Sequence, residues 1–397
     1  MATPSMERYR LFAISSPGLE PFTAQELQHL GVKLCHPSPE MENPVMSKES
    51  GDGEGGVEFF GSLEDVYRVN LHLRTASRVL VRLGTFLSAT FPELRRKASH
   101  LPWESFLPSG SPVALRVTCH KSRLYHQGAV AERVAGAIAD RSGGLPPVQK
   151  FDETAGIPLP QLILVRLVDN FCTISVDSSG ALLHRRGYRL DTAKAPLRET
   201  LAAGMLLASR WDASSPLMDP FCGSGTIVIE AALMAHHFPP GRFRRFAFMD
   251  WPNFDSRTWE KMLIEADPRP AAPLPKLIAS DRDEGAIKAA RANAQRAAVA
   301  DSIDFSSRSI SSIQPPLGSG WVVTNPPYGV RTGSNRDLRN LYAQLGKVLR
   351  AKCRGWHLTM LCSSQMLLHS TGLRFDEGIT LDNGGLKVKL VKGRIDE

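Results

Sequence analysis

Apolar positions along the chain change their period near residue 177, and that change divides the sequence in two. In the first part, residues 9–14 alternate apolar and polar side chains as a half-buried strand does, Ser16-Pro17-Gly18 supplies a turn, and Phe22, Leu27 and Leu30 recur on one helical face. The segment 36–56 breaks the pattern. Its three prolines, four glycines and five acidic side chains, with almost no periodicity, predict a mobile loop. Alternation resumes at Val57 and Phe59, followed by a helix over 62–76, strands over 113–119 and 162–168, and a helix over 128–141 between those strands. This is the texture of a compact α+β unit.

Beyond residue 177, strands and helices alternate. Leu197, Leu201, Met205 and Ala208 share one face of a helix opened by Pro196, a residue suited to a first helical turn. Strands are expected over 216–219, 277–281, 321–325 and 356–363, with helices over 225–236, 284–298 and 336–350 between them. Such alternation implies parallel strands joined by crossover helices. The end of the chain, 373–380 and 386–392 around Asp382-Asn383-Gly384-Gly385, reads as a hairpin closing the sheet edge, because Asn-Gly supplies the positive φ of a tight turn. Residues 237–276, with a Pro-rich stretch, form a long insertion in this pattern.

Composition narrows the class. With 397 residues, 42% hydrophobic and 22% charged, the chain is long enough for two or three domains. Its longest apolar runs are too short to span a bilayer, and its charged N-terminus is unlike a signal peptide, so a cytoplasmic protein with no membrane partner is expected. Six cysteines, at 35, 119, 172, 222, 353 and 362, include no Cys-x-x-Cys pair, and no His/Cys/carboxylate cluster has metal-ligand spacing; neither a disulfide framework nor a metal is expected. The net charge of +8 is uneven, since residues 1–65 carry 4 basic and 11 acidic side chains and the basic excess lies beyond them. That balance suits a polyanionic partner.

Three motifs carry chemistry. Asp219-Pro-Phe-Cys-Gly-Ser-Gly-Thr226 falls between a strand end and a helix start, where small residues and free backbone N–H groups let a ligand approach closely. It is neither a phosphate loop nor a full Gly-x-Gly-x-x-Gly, which weakens nucleoside triphosphate and nicotinamide readings. Asp281 ends the next strand, where a carboxylate can accept hydrogen bonds from both ribose hydroxyls of an adenosyl group, while Asp283 suits the N-cap of the helix that follows. Asn325-Pro326-Pro327-Tyr328-Gly329 directly follows a strand. Two prolines stiffen the backbone and remove donors, leaving the Asn side-chain oxygen and the Pro326 carbonyl as acceptors for an incoming amino group. Accepting the hydrogens of an sp² amine orients it for in-line methyl transfer, and Tyr328 can stack on the base that bears it. Each motif also has a plainer role: a packing turn, a helix cap, a stiff loop. Their order and strand positions together favour the chemical reading.

Together the motifs resemble the class I S-adenosylmethionine-dependent methyltransferases of the amino-methylating type. The fold class this implies is α/β: a C-terminal Rossmann-like domain, its mostly parallel sheet ending in a hairpin, preceded by an α+β region. The resemblance extends through Leu183-His-Arg-Arg-Gly-Tyr-Arg189, Ala195-Pro-Leu-Arg-Glu-Thr-Leu-Ala202, Gly56-Val-Glu-Phe-Phe-Gly61 and Leu73-Arg-Thr-Ala-Ser-Arg-Val-Leu80 to the THUMP-domain RNA guanine-N2 methyltransferases, in particular the bacterial 23S ribosomal RNA enzymes. It implies a ferredoxin-like segment over 1–65, an RNA-gripping THUMP domain over 66–178 and a methyltransferase domain over 179–397. Carried over by position, Asp219, Cys222, Gly223, Gly225 and Thr226 line the methionine part of S-adenosylmethionine, Asp281 meets the ribose, and Asn325, Pro326, Pro327 and Tyr328 hold the target amine and base. Ser309 stands where the family often has an acidic residue for the adenine amine, and a hydroxyl accepts that bond more weakly. Some ribosomal members carry a second methyltransferase behind the first; none is expected here.

RNA contacts are expected from Lys121 and Arg123 in the THUMP segment and from Arg185, Arg186, Arg189 and Lys194 at its junction with the catalytic domain, since each cation can engage a phosphate. Ribosomal RNA is the expected partner, with transfer RNA as the alternative. A protein glutamine or DNA adenine methyltransferase shares the Asn-Pro-Pro-Tyr logic but leaves residues 1–180 unexplained. A non-catalytic RNA-binding or assembly factor is the reading from another class, motivated by Ser309.

Overall fold

A computed structural model describes residues 8–35, 55–153, 158–190, 197–267, 274–328 and 335–396. Its contacts divide the chain into two units. One contains the residues up to Ser15, Thr23–Leu183 and Arg244–Ile264; the other contains Ser16–Phe22, His184–Phe243 and everything from Glu265 onward.

Along the first unit run β1 (Tyr9–Ser15), α1 (Glu20–His29), whose first residues group with the second unit, β2 (Lys33–Leu34), β3 (Gly55–Gly61), α2 (Leu63–His72), β4 (Ala76–Leu87), α3 (Phe91–Ser99), β5 (Val113–His120), α4 (Gln127–Ser142), β6 (Gln161–Val168) and β7 (Phe171–Asp177). The strands form one sheet in the order β2-β3-β1-β4-β7-β6-β5, antiparallel except for the β5–β6 pair. Period-2 patterning carries it: in β6, Ile163, Val165 and Leu167 are buried on one face while Arg166 is exposed on the other. Strands on both sides of the limit expected near residue 65 share this sheet through the β1–β4 pairing. The helix expected over 62–76 is shorter. A capping box between Ser62 and Asp65 starts it, and Leu73 is already extended, so that β4 can begin at Ala76. Most of the expected mobile loop, 36–54, lies outside the described residues, and its last two glycines open β3.

The insertion was expected within the region 179–397, yet Arg244–Ile264 groups with the first unit. Aromatic packing is the reason. Tyr67 on α2 stacks on Phe248 at 4.6 Å between ring centroids and meets Phe254 and Trp259 edge-on, and its hydroxyl accepts a hydrogen bond from the Asp255 N–H at 3.0 Å. Aromatic pairs of this geometry add about 0.5–1.5 kcal/mol each beyond burial.

In the second unit, α5 (Glu199–Ser209), β8 (Leu217–Asp219), α6 (Thr226–Ala235), β9 (Leu277–Asp281), α8 (Glu284–Arg296), β10 (Ile303–Ser307), β11 (Trp321–Thr324), α9 (Asn335–Lys352), β12 (His357–Cys362), α10 (Gln365–Ser370), β13 (Ile379–Asn383) and β14 (Leu386–Arg394) follow one another, and the inserted α7 (Ser256–Glu265), all but its last residue, groups with the first unit. The sheet order is β10-β9-β8-β11-β12-β14-β13; the first five strands are parallel and the closing hairpin is antiparallel, as the alternation predicts, but the positive φ of its turn falls on Gly384 and Gly385 and not on Asn383, which still pairs as the last residue of β13. Successive strand residues feed two cores. Leu217, Ala279 and Val323 pack with α5, α6 and α8, while Met218, Ile278 and Val322 pack with α9 and α10. Both faces are therefore covered, which is why β8 and β9 read as continuous apolar runs instead of alternating. From β8 the chain winds outward through β9 to β10, then returns to lay β11 beside β8. The sheet reverses direction between β8 and β11, and a crevice for ligands opens there at the carboxyl ends of the strands.

Candidate active site

The site grows from the two strand ends that flank this reversal. Asp219 closes β8 and Asn325 follows β11, 106 positions later, and a side-chain hydrogen bond ties these ends together beyond the strand pairing: Thr324 Oγ1 donates to Asp219 Oδ1 at 2.6 Å. The same oxygen accepts from the Phe221 N–H at 3.1 Å. Asp219 is 1% exposed. Burial raises its carboxyl to about 7, Asp281 adds to the rise, and the bonds from Thr324 and Phe221 oppose it. Its role in the loop is thus internal bracing, more than the direct lining of a ligand expected from the sequence.

After Asp219 the chain makes a tight passage into α6. The Cys222 N–H donates to the Ser280 carbonyl at 3.0 Å, the Gly223 N–H to Asp281 Oδ2 at 3.0 Å, and the Gly225 N–H to the Cys222 carbonyl at 2.8 Å. So several of the N–H groups expected to face a ligand instead fasten the loop to β9. Gly223 and Gly225 have φ of +51° and +85°, a region open to glycine at little cost. At Gly225 the need is also steric, since a Cβ there would lie 3.0 Å from the Cβ of Ala290 on α8. As the N-cap of α6, Gly225 brings no side chain to the helix start, which leaves the first-turn N–H groups without a side-chain cap. Thr226 is buried in that turn, and the buried Cys222 thiol is held neutral, its pKa pushed well up by burial and then by the Asp219 and Asp281 carboxylates.

Asp281 stands at the end of β9, half-buried. Its two oxygens accept from Gly223 N–H and Asp283 N–H, both at 3.0 Å, and each keeps lone-pair capacity for a further donor. Asp283 caps α8, accepting from Gly285 and Ala286 as expected. Ser309 follows β10, whose end is tied to β9 by the bond from Arg308 N–H to the Asp281 carbonyl; its exposed hydroxyl shares hydrogen bonds with Ser311 at 2.8 Å and Ser312 at 3.3 Å. That local pairing weakens Ser309 further as an acceptor.

On the opposite side of the crevice, Asn325 presents a buried Oδ1 that meets no donor among the described residues. Leaving a buried acceptor unmade costs about 1–3 kcal/mol, a cost that a ligand donor can repay. Pro326 is buried and Pro327 half-buried, and Tyr328 packs against both cores with its hydroxyl 2.7 Å from the Asn383 Nδ2. The sequence pointed to neither Thr324 nor Asn383, because nothing in their local context distinguishes them; only strand pairing brings them in.

The basic residues divide. Lys121, at φ +46°, and Arg123 are exposed after β5, and the Arg123 N–H donates to Asn170 Oδ1; Arg185 is exposed as well. Arg186 is corrected: 2% exposed, it pairs with the fully buried Glu230 at 3.4 Å, and Tyr188 donates to the same carboxylate, so it cannot reach a phosphate. Arg189 is likewise occupied, donating to the Leu197 carbonyl at 2.6 Å and to Glu199 at 2.9 Å. Lys194 lies outside the described residues. His184 is mostly buried among arginines, and burial lowers its pKa to about 3. Among the described residues there is no metal-ligand cluster, and no helix is long and apolar enough to cross a membrane.

Comparison with known proteins fits this geometry. Residues 186–392 match the family described as RMKL-like, methyltransferase domain, and residues 49–80 match the RlmL ferredoxin-like domain. The chain is 33% identical over 96% of its length, and 95% of the relative's, to a candidate RNA methyltransferase, slr0064, of Synechocystis sp. (strain ATCC 27184 / PCC 6803 / Kazusa). It is 36% identical over 98% of its length to the ribosomal RNA large subunit methyltransferase K/L of Syntrophotalea carbinolica (strain DSM 2380 / NBRC 103641 / GraBd1), of which it spans 54%. Its fold matches the crystal structure of SMU.472, a candidate methyltransferase complexed with SAH, with a TM-score of 0.82 and 28% identity over 97% of this chain and 98% of that one.

Proposed function

This chain belongs to the family of RMKL-like methyltransferase domains, and from that premise we propose that it methylates the exocyclic N2 of a guanosine in large-subunit ribosomal RNA. It is an S-adenosylmethionine-dependent methyltransferase. The observation that carries the choice of an amine as acceptor is the buried Asn325 Oδ1 that meets no donor among the described residues, across the crevice from the loop 219–226. Bound there, S-adenosylmethionine supplies a methyl group activated by sulfonium. The residues present fit it: Asp281 keeps acceptor capacity for two ribose hydroxyls, the start of α6 carries no side-chain cap over its first-turn N–H groups, and Asp219 and Thr324 brace the loop from behind.

Asn325 Oδ1 and the Pro326 carbonyl accept the amine hydrogens, which turns the nitrogen lone pair toward the methyl group. No strong base is needed, because the nitrogen becomes acidic once it carries a fourth bond and can release its proton to water. Tyr328 supports the base by stacking. Ribosomal RNA as the substrate is supported by the names of the K/L relatives, of whose length this chain spans about half, 54% in one and 51% in another. The first unit serves in this reading as the RNA-gripping part, with a ferredoxin-like segment over 1–65 and a THUMP domain over 66–178, and Lys121, Arg123 and Arg185 as its phosphate contacts. A cytoplasmic location follows from such a substrate.

The test is transfer of tritiated methyl groups from S-adenosylmethionine onto separate ribosomal and transfer RNA pools from cells lacking the gene, followed by nucleoside mass spectrometry. N2-methylguanosine in the large ribosomal RNA is the expected outcome. Label confined to transfer RNA would reassign the substrate, and no label in either pool, with cofactor binding intact, would overturn the reading.

A further inference from the structure

The Asn-Pro-Pro-Tyr loop ends on a tyrosine whose polar end is anchored from elsewhere in the fold. Asn383 Nδ2 donates to the Tyr328 hydroxyl at 2.7 Å across a separation of 55 residues. Asn383 is the last residue of β13, opposite Leu386, in a hairpin whose two loop residues, Gly384 and Gly385, both have positive φ (+64° and +87°). The turn is held firmly. Asp382 Oδ1 accepts from the Gly385 N–H at 2.8 Å, and one residue further back Leu381 is buried opposite Val388. Hairpin register thus fixes where the Asn383 amide stands, because a slip of one residue would send it to the other face.

We infer that Asn383 is a positioning residue for the reaction: by holding the Tyr328 hydroxyl it fixes where the far end of the ring sits, and so the place of the surface against which the target base stacks. This rests on the function proposed above. The physical case is one of degrees of freedom. The two prolines stiffen the chain up to Tyr328, but the Tyr328 ring can still swing about its Cα–Cβ bond, and stacking transmits that swing to the amine at Asn325. Apolar packing resists displacement of the ring yet has no direction, whereas a hydrogen bond to its far end pins that end to one point. The contact also explains why Asn stands at a strand end that could equally carry any turn residue: Gly384 and Gly385 already meet the backbone requirement, so the Asn383 side chain is free to serve Tyr328.

Two readouts on the full-length protein test this. The chain has six tyrosines, so labelling with 3-fluorotyrosine gives few ¹⁹F resonances, and the one lost in Tyr328→Phe reports the ring. Asn383→Ala is expected to shift or broaden that resonance and leave the others in place, without RNA or cofactor. In steady-state methyl transfer, Asn383→Ala and Tyr328→Phe should each lower kcat about tenfold with little change in KM for RNA, the double variant should fall no further than either single one, and Asn383→Asp, which can accept a bond from the phenol, should recover part of the loss. A Tyr328 resonance indifferent to Asn383, or an Asn383→Ala variant with wild-type kcat, or strictly additive losses, would overturn the inference. Failure of the underlying reading has a different signature, a wild-type protein inert on RNA, and it removes the base-positioning role along with it.

Discussion

The two loops that meet at the sheet reversal are built on opposite principles. The loop 219–226 satisfies itself. Asp219 takes bonds from Thr324 and Phe221, Gly223 gives its N–H to Asp281, and Cys222 gives its N–H to Ser280, so that shape and small side chains are what it offers a ligand. The loop 325–328 holds an acceptor in reserve, with prolines in place of donors and a buried Asn325 oxygen that meets no donor among the described residues. A cofactor site must hold its form before the ligand arrives, and glycine geometry with internal bonds provides that. A site for a weak nucleophile must instead keep strong acceptors in reserve, since an acceptor with one lone pair already committed to protein polarises an amine less.

Substitutions can separate these principles. Asn325→Ala should have the largest effect, lowering kcat by about 10²–10³-fold, the scale seen when one preorganised polar group is lost from an active site, while calorimetric affinity for S-adenosylmethionine stays nearly unchanged. Comparable losses in both quantities would mean that the loops do not divide the work. Gly225→Ala tests the other loop. A left-handed backbone costs an alanine about 1–2 kcal/mol, and its Cβ would press on Ala290 at 3.0 Å, so cofactor affinity should fall about tenfold and the urea midpoint should drop. Unchanged cofactor binding would show that the glycine serves only the turn.

Thr324→Val cuts the side-chain bond between the two strand ends at nearly constant volume. It should cost about 1–3 kcal/mol of stability and lower cofactor affinity and kcat together, because Asp219 loses a bond that favours its ionised form. An effect confined to one of the two would place the loops in separate frames. Asp219→Asn should be the mildest change and the one that depends on pH. The folded carboxyl titrates near 7 and the ordinary value is 3.8, so its contribution to stability is complete below about pH 3.8 and is lost as pH rises through about 7. Asn carries no such loss, and the melting temperature of the variant relative to wild type should therefore climb between pH 5 and pH 8. A constant difference across that range would show that the carboxyl does not titrate where its burial places it.

Much of the second unit was legible in the sequence. Strand and helix periods placed every one of its parallel strands that bears a motif, and the Asn-Gly-Gly turn announced the closing hairpin, because these features depend on residues within a few positions of one another. The first unit was legible in its elements but less so in its limits: a helix was drawn four residues too far at its carboxyl end, and the sheet runs through the expected boundary at 65.

Charge was the least legible feature. Six cations looked alike as phosphate contacts, yet Arg186 is sealed against Glu230 and Arg189 is spent on Leu197 and Glu199. Nothing local separates Arg185, which is exposed, from Arg186 beside it, for a partner 44 residues away decides the matter. The same holds for Thr324 with Asp219, for Asn383 with Tyr328, and for Tyr67 with the aromatic cluster that draws residues 244–264 into the first unit. Residue type and local spacing were enough to specify which chemistry this chain can offer and on which strand ends it stands. Whether a given polar group is open to a ligand or already bonded within the protein was decided by tertiary structure, because burial and hydrogen-bond partners are properties of residues far apart in the chain.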